Sequence, residues 1–225
     1  NDRSLQAKLL FEETGLVKHG FSTRLGGVSE GYFASLNLSF DRGDDKEAVM
    51  ENFRRIGKSL GVRCEDMVLS KQTHTTNVRV VTEADRGKGI VKGRDYTDVD
   101  GLVTNVRGIC LVTSYADCVP LYFLDPVHKA IGLSHSGWRG TVGKIGLKTV
   151  QLMQEKFASD PADILAAVGP SVCMDCYEVS SDVIDRFKEG FDEKFWAELF
   201  YKKPDGKYQL DLWKANELIF LEAGI

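Results

Sequence analysis

The chain of 225 residues carries a net charge of −4 at pH 7, and no Lys/Arg block of the kind that tracks a phosphate backbone. This argues against nucleic acid and for a small-molecule partner. No run approaches eighteen apolar residues, and Asn1 to Glu13 is charged where a secretory signal would be apolar, so a cytoplasmic location without membrane contact is expected. Five cysteines at 64, 110, 118, 173 and 176, odd in number and scattered, exclude the regular framework of a secreted disulfide scaffold.

In chain order, Phe21 to Ser29 reads as a strand entering a glycine turn, and Ser35 to Leu38 as a second short extended piece. Asp45 to Leu60 has apolar residues at 49, 53, 56 and 60 and a terminating Gly61, the pattern of an amphipathic helix. Extended segments follow at 67–70, 78–81, 101–104, 109–114, 119–124 and 130–133. Asp125-Pro126 marks the turn between the last two, which therefore form a hairpin. Thr141 to Phe157 is helical by pattern, Ile164 to Val168 is a further strand, and the C-terminal third reads as helix around 180–189 and 211–222, with a turn at Pro204-Asp-Gly206. Strands in the middle, helices on the flanks and no repeat or linker predict one domain over 1–225. Its class is α/β (mixed α+β), a sandwich of mixed β-sheets flanked by helices. A chain of this length buries a sufficient core without disulfide or metal staples.

The hairpin carries the chemistry. If its turn is centred between Pro126 and Val127, Cys118 and His135 are direct cross-strand neighbours with Cβ atoms about 5 Å apart. That spacing suits a shared metal ion and equally a thiolate–imidazole pair. His74, in Lys71-Gln-Thr-His, is the remaining histidine with small polar neighbours. Three ligands of the set His74, Cys118 and His135 leave one position open, as in a catalytic zinc site, and a mixed His/Cys set also tolerates copper. His19 and His128 read as structural or solvated. Gly137-Trp-Arg-Gly140 opens the predicted helix, so Arg139 joins backbone N–H groups and the positive end of a helix dipole as an anion site. Arg24 is a second anion candidate. Asp98 and Asp100 are carboxylates near the hairpin, and Asp117, adjacent to Cys118, is the candidate acid/base or orienting group. Cys173-Met-Asp-Cys176 is a single CxxC, too little for a zinc ribbon, and is read as two free thiols near a loop.

Phe21-Ser-Thr-Arg-Leu-Gly-Gly, Ser35-Leu-Asn-Leu, Gln72-Thr-His, Asp98-Val-Asp-Gly-Leu-Val-Thr, Ala116-Asp-Cys-Val-Pro, His135-Ser-Gly-Trp-Arg-Gly, Gly169-Pro and Tyr177-Glu-Val occur in order from about residue 19 to the C-terminus. The series resembles the YfiH/YlmD family, also called the multicopper polyphenol oxidase or laccase-like family and later described as purine nucleoside phosphorylases. The resemblance implies a single YfiH-like α/β sandwich with zinc bound by His74, Cys118 and His135. It implies phosphorolysis of adenosine, inosine, guanosine and methylthioadenosine, and deamination of adenosine, with Arg24, Arg139, Gln72 and Asn37 as candidate substrate or phosphate contacts. Thr75 stands where the family usually has Gly, and Ser136 where it usually has Ala. Both substitutions flank ligands without replacing them.

Three rivals stay open at this point. Copper-dependent phenol oxidation wants several coppers and many histidines, whereas the chain has four. Metal-free hydrolysis by a Cys118–His135 dyad shares the same geometry. A non-enzymatic zinc or nucleotide-binding module would show no turnover. The oligomeric state is not legible in the sequence.

Overall fold

Asp45 shows why the first long helix starts where it does: its carboxylate accepts the Ala48 N–H at 2.8 Å, and the chain runs as α1 (Lys46–Leu60) until Gly61. Gly61 sits at φ 69°, the left-handed conformation that closes a helix and that glycine adopts at no steric cost. The computed structural model describes Phe11 and residues 13–225. Val49 and Phe53 on the buried face of α1 pack on Cys64, Met67, Leu69 and Ile90. Beneath them β1 (Met67–Leu69) pairs in parallel with β4 (Cys110–Val112).

The central sheet has five strands: β2 (Val78–Val80), β3 (Gly101–Thr104), β6 (Ala130–Ser136), β5 (Val119–Asp125) and β7 (Leu165–Val168), in the order β2-β3-β6-β5-β7. Only β2 and β3 are parallel. The predicted helix at 141–157 is two helices, α2 (Trp138–Val142) and α3 (Ile145–Phe157), because Lys144 turns to φ 58° between them. Ile145, Val150 and Met153 of α3 are fully buried with Leu121 and Phe123 of the sheet and Ile219 of α6 (Leu212–Glu222). Sheets flanked by helices form the expected mixed α/β architecture.

The C-terminal third is less helical than expected. Between α4 (Ser181–Gly190) and α6 lie α5 (Trp196–Leu199) and a hairpin of β9 (Phe200–Lys202) and β10 (Tyr208–Leu210), closed at Pro204-Asp-Gly206. β10 also pairs with β8 (Glu178–Val179). Residues 21–29 and 35–38 form no strand. Their backbone is tied into a loop in which Ser35 and Leu36 N–H groups donate to the Arg24 carbonyl, while the buried Asn52 of α1 bonds Val28, Ser29, Ser35 and Asn37.

The β5–β6 register differs from the sequence expectation by two residues. His135 faces Pro120, not Cys118, because Asp125 pairs with Ala130 and the loop between them has four residues. Asp125 Oδ1 accepts the Val127 and His128 N–H groups and so fixes that longer turn. A two-residue shift preserves the face, so Cys118 and His135 become diagonal rather than direct neighbours.

Candidate metal centre

His74, Cys118 and His135 each present one ligand-type atom, and these atoms lie within 4.8 Å of one another. Cys118 Sγ is 3.8 Å from His74 Nε2, and the two imidazoles meet edge to face with centroids 5.0 Å apart. Bonds of about 2.3 Å to sulfur and about 2.0 Å to nitrogen put tetrahedral ligand atoms roughly 3–4 Å apart, so the cluster needs little adjustment to close on zinc. A thiolate with two imidazoles is also a donor set that copper accepts. Gly137 is required beside it. A Cβ there would stand 2.9 Å from Cys118 Sγ and 2.9 Å from His74 Cδ2.

Asp100 organises the cluster. The β3–β6 register sets Gly101 against Ser134, which puts Asp100 beside His135, and its Oδ1 meets His135 Nδ1 at 2.8 Å. The other ring nitrogen, Nε2, is thereby left for a ligand role. Asp100 Oδ1 also accepts the His74 N–H at 3.0 Å, and Oδ2 accepts the N–H groups of Thr73 and Thr75 at 3.1 and 2.9 Å and the Thr75 hydroxyl at 2.9 Å. His74 needs this support, because it adopts φ 63° in the left-handed region. One fully buried carboxylate thus holds the His135 imidazole and the backbone of His74.

The electrostatics follow from these contacts. Burial pushes the Asp100 carboxyl up, but the bonds from His135, Thr73 and Thr75 outweigh it and hold the group at about 2. Burial pulls His135 down, yet the bonds to Asp100 and Cys118 raise it to about 9. His74 moves the other way, lowered by burial and by the neighbouring His135, with Asp100 opposing and Arg139 adding. Protons compete with metal for these atoms, so occupancy is coupled to their release.

Among the remaining sequence candidates, Arg139 is exposed and stacks on the Trp138 ring at 4.2 Å, and no carboxylate among the described residues lies within ion-pair distance of it. The helix it opens, α2, is only five residues long. Asp117 is exposed beside Cys118, and its carbonyl accepts the Val172 N–H at 3.0 Å. Tyr177 belongs to the same neighbourhood: burial pushes its hydroxyl up to about 12, with Cys118 and Asp117 adding and Arg139 opposing. Gln72 is occupied with Ser70 and both backbone groups of Ser114. Asn37 donates to Ser39 and Asp44, and Arg24 places two donors on the Ala34 carbonyl. Arg24 and Asn37 line a cavity of about 1280 Å³ that reaches Tyr115, whose ring lies 5.7 Å from that of His135. Tyr115 had no distinguishing signal in the sequence, whereas Tyr177 opens the Tyr177-Glu-Val motif of the resemblance without being read there as a site residue.

The sequence model of the multi-copper polyphenol oxidoreductase laccase family matches residues 18–225. The chain belongs to that family. A purine nucleoside phosphorylase YlmD of Geobacillus stearothermophilus is 38% identical over 213 residues, which is 92% of this chain and 75% of that protein. An adenosine deaminase from an unknown prokaryotic organism is 34% identical over 221 residues, 97% of this chain and 83% of its own. Among solved structures, Bacillus licheniformis protein YfiH superposes with a TM-score of 0.86 at 34% identity, covering 92% of this chain and 77% of that one. YlmD of Geobacillus stearothermophilus gives 0.83 at 39%, covering 90% and 75%. This family thus includes relatives named for purine nucleoside chemistry, which supports an enzyme acting on small molecules. No helix among the described residues is long and apolar enough to cross a membrane.

Proposed function

We propose that the chain is a zinc-dependent purine nucleoside phosphorylase acting on adenosine, inosine, guanosine and methylthioadenosine, with adenosine deaminase activity at the same centre. The observation that carries this reading is the convergence of His74, Cys118 and His135 on one point, with Asp100 behind His135, in a chain whose relatives bear both names. A zinc ion bound there would supply Lewis-acid chemistry with an open coordination position. The protein's own groups do the rest. Asp100 fixes the His135 imidazole orientation, and Arg139, free of carboxylate partners among the described residues, would receive phosphate as it approaches the anomeric carbon. Arg24 and Asn37 would act from the adjoining cavity, and Gln72 by bracing Ser114. Asp117 is the exposed carboxylate next to Cys118 from which a proton can be given or taken.

Copper-dependent phenol oxidation, which the family's description names, ranks below this as a side activity. The described residues contain one such ligand group, and multicopper chemistry requires several. The competing metal-free dyad predicts full activity after chelation.

Arg139 tests the proposal. A charge-assisted bidentate contact contributes roughly 1.5–3 kcal/mol, so Arg139→Ala or Arg139→Lys should lower phosphate-dependent turnover about ten- to a hundredfold, mainly through weaker phosphate use. Deamination should lose much less. Kinetics at varied phosphate decide: equal losses in both reactions would assign Arg139 to nucleoside positioning or to the fold.

A further inference from the structure

Cys173 and Cys176 lie outside the metal cluster, at the two ends of one turn of 3₁₀-helix formed by Met174–Cys176. The Cys176 N–H donates to the Cys173 carbonyl at 3.1 Å, which closes the turn. A turn closed by such a bond, rising about 2 Å per residue, leaves the Cα atoms of Cys173 and Cys176 about 6 Å apart. That distance is within the range of about 4.4–6.8 Å across which a disulfide forms without backbone movement. The two sulfurs already interact: the Cys176 thiol is raised first by its hydrogen bond to Cys173 and then by the charge on that sulfur. Cys176 is exposed and Cys173 half-buried, so a small reagent can reach the pair. The other thiols differ. Cys64 and Cys110 are both raised by burial, Cys110 to about 11, and Cys118 stands in the metal cluster.

The turn is held from both sides. Gln209 Nε2 donates to the Asp175 carbonyl at 2.9 Å, and the Val172 N–H binds Asp117, the residue before Cys118. A frame that keeps the two thiols at the ends of one short turn favours ring closure over escape of either sulfur.

We propose that Cys173 and Cys176 form a thiol–disulfide exchange site that takes low-molecular-weight disulfides of the glutathione class and closes into a disulfide within the turn. Cys176 meets the reagent first. Its thiolate attacks one sulfur of glutathione disulfide, forming a mixed disulfide and expelling one glutathione thiolate. The Cys173 thiolate then attacks Cys176 Sγ, forming the Cys173–Cys176 bond and expelling the second glutathione. Two protein thiols are oxidised by two electrons, one glutathione disulfide is reduced, and the two protons end on the released glutathiones.

The test is peptide mapping of full-length protein held in excess glutathione disulfide, acid-quenched and alkylated under denaturing conditions. The peptide carrying Cys173 and Cys176 should go from two alkyl labels to none, carry no glutathione and regain both labels after dithiothreitol. In Cys173→Ser the resolving sulfur is absent, so Cys176 should hold one glutathione that reduced glutathione removes. Both labels retained in the parent protein would overturn the proposal. So would stable glutathione adducts on the two sulfurs, a cross-link from either to another cysteine, or a Cys176 that takes no adduct in Cys173→Ser.

Discussion

The β5–β6 hairpin carries two histidine–aspartate pairs, one at each end, and they differ in what surrounds them. At the open end His135 Nδ1 meets Asp100 at 2.8 Å, and at the turn His128 Nδ1 meets Asp125 at 2.9 Å. Both carboxylates are fully buried. Yet the His135 side chain is 5% exposed and adjoins His74 and Cys118, whereas that of His128 is 37% exposed at the edge of a turn. The carboxylate–imidazole pair therefore defines no site by itself. What distinguishes the open end is convergence of further ligand atoms and a carboxylate that reaches across to the His74 loop, while Asp125 spends its bonds on its own turn.

Removing the two carboxylates should separate those roles. Asp100→Asn keeps the shape but loses the charge that sets the His135 tautomer, and partners of this kind are worth about 10–100-fold in metal affinity or activity. Asp125→Asn should leave zinc affinity unchanged and cost about 1 kcal/mol of stability, because its amide oxygen still accepts the turn N–H groups but without the charge that strengthens those bonds and the His128 contact, seen as a Tm lower by a few degrees. Competition titrations with a zinc chelator, paired with melting curves, measure both. A drop in zinc affinity for Asp125→Asn equal to that for Asp100→Asn would erase the distinction.

A smaller effect probes the convergence itself. Gly137→Ala puts a Cβ 2.9 Å from Cys118 Sγ, and a clash relieved by side-chain movement costs roughly 1 kcal/mol, so zinc affinity should fall about fivefold with little change in the apo melting temperature. An unchanged affinity would show that the ligands have more room than the geometry allows.

The smallest effect comes from a third buried carboxylate, Asp85, which pairs with Lys88 and Arg79 rather than with histidine. Burial raises its carboxyl, but bonds from Lys88, Thr82 and Arg79 prevail and hold it well below the ordinary 3.8. A depressed folded-state value stabilises the protein above about pH 4, and that contribution is lost as the pH falls further. Melting temperature measured from pH 6 to pH 3 should therefore fall less steeply in Asp85→Asn, by the same margin with and without zinc. Parallel curves for parent and variant would remove Asp85 from the acid limb.

How much of this could be read from the sequence depends on how far apart in the chain the deciding contacts lie. The helix at Lys46–Leu60 and the strand at Gly101–Thr104 follow from local pattern and capping, and both are where the sequence puts them. The hairpin is local too, but its register turns on two bonds to Asp125 that no periodicity encodes. Its even shift is why Cys118 and His135 stayed on one face. The role of Asp100 is set by antiparallel pairing with a strand 35 residues away, and the loop at 21–38 by Asn52 on a helix, so neither could be derived locally. Strands β9 and β10 are too short, at three residues each, to show a period.

If His74, Cys118 and His135 hold one catalytic zinc, the metal content of the protein must follow those side chains. Elemental analysis of the parent protein, purified without chelators, should give about one zinc per chain, and the Cys118→Ala/His135→Ala double variant should give almost none while keeping its circular dichroism spectrum, since a chain this long buries enough core without the metal. Zinc retained at parent level by a folded double variant would mean that the metal is held elsewhere.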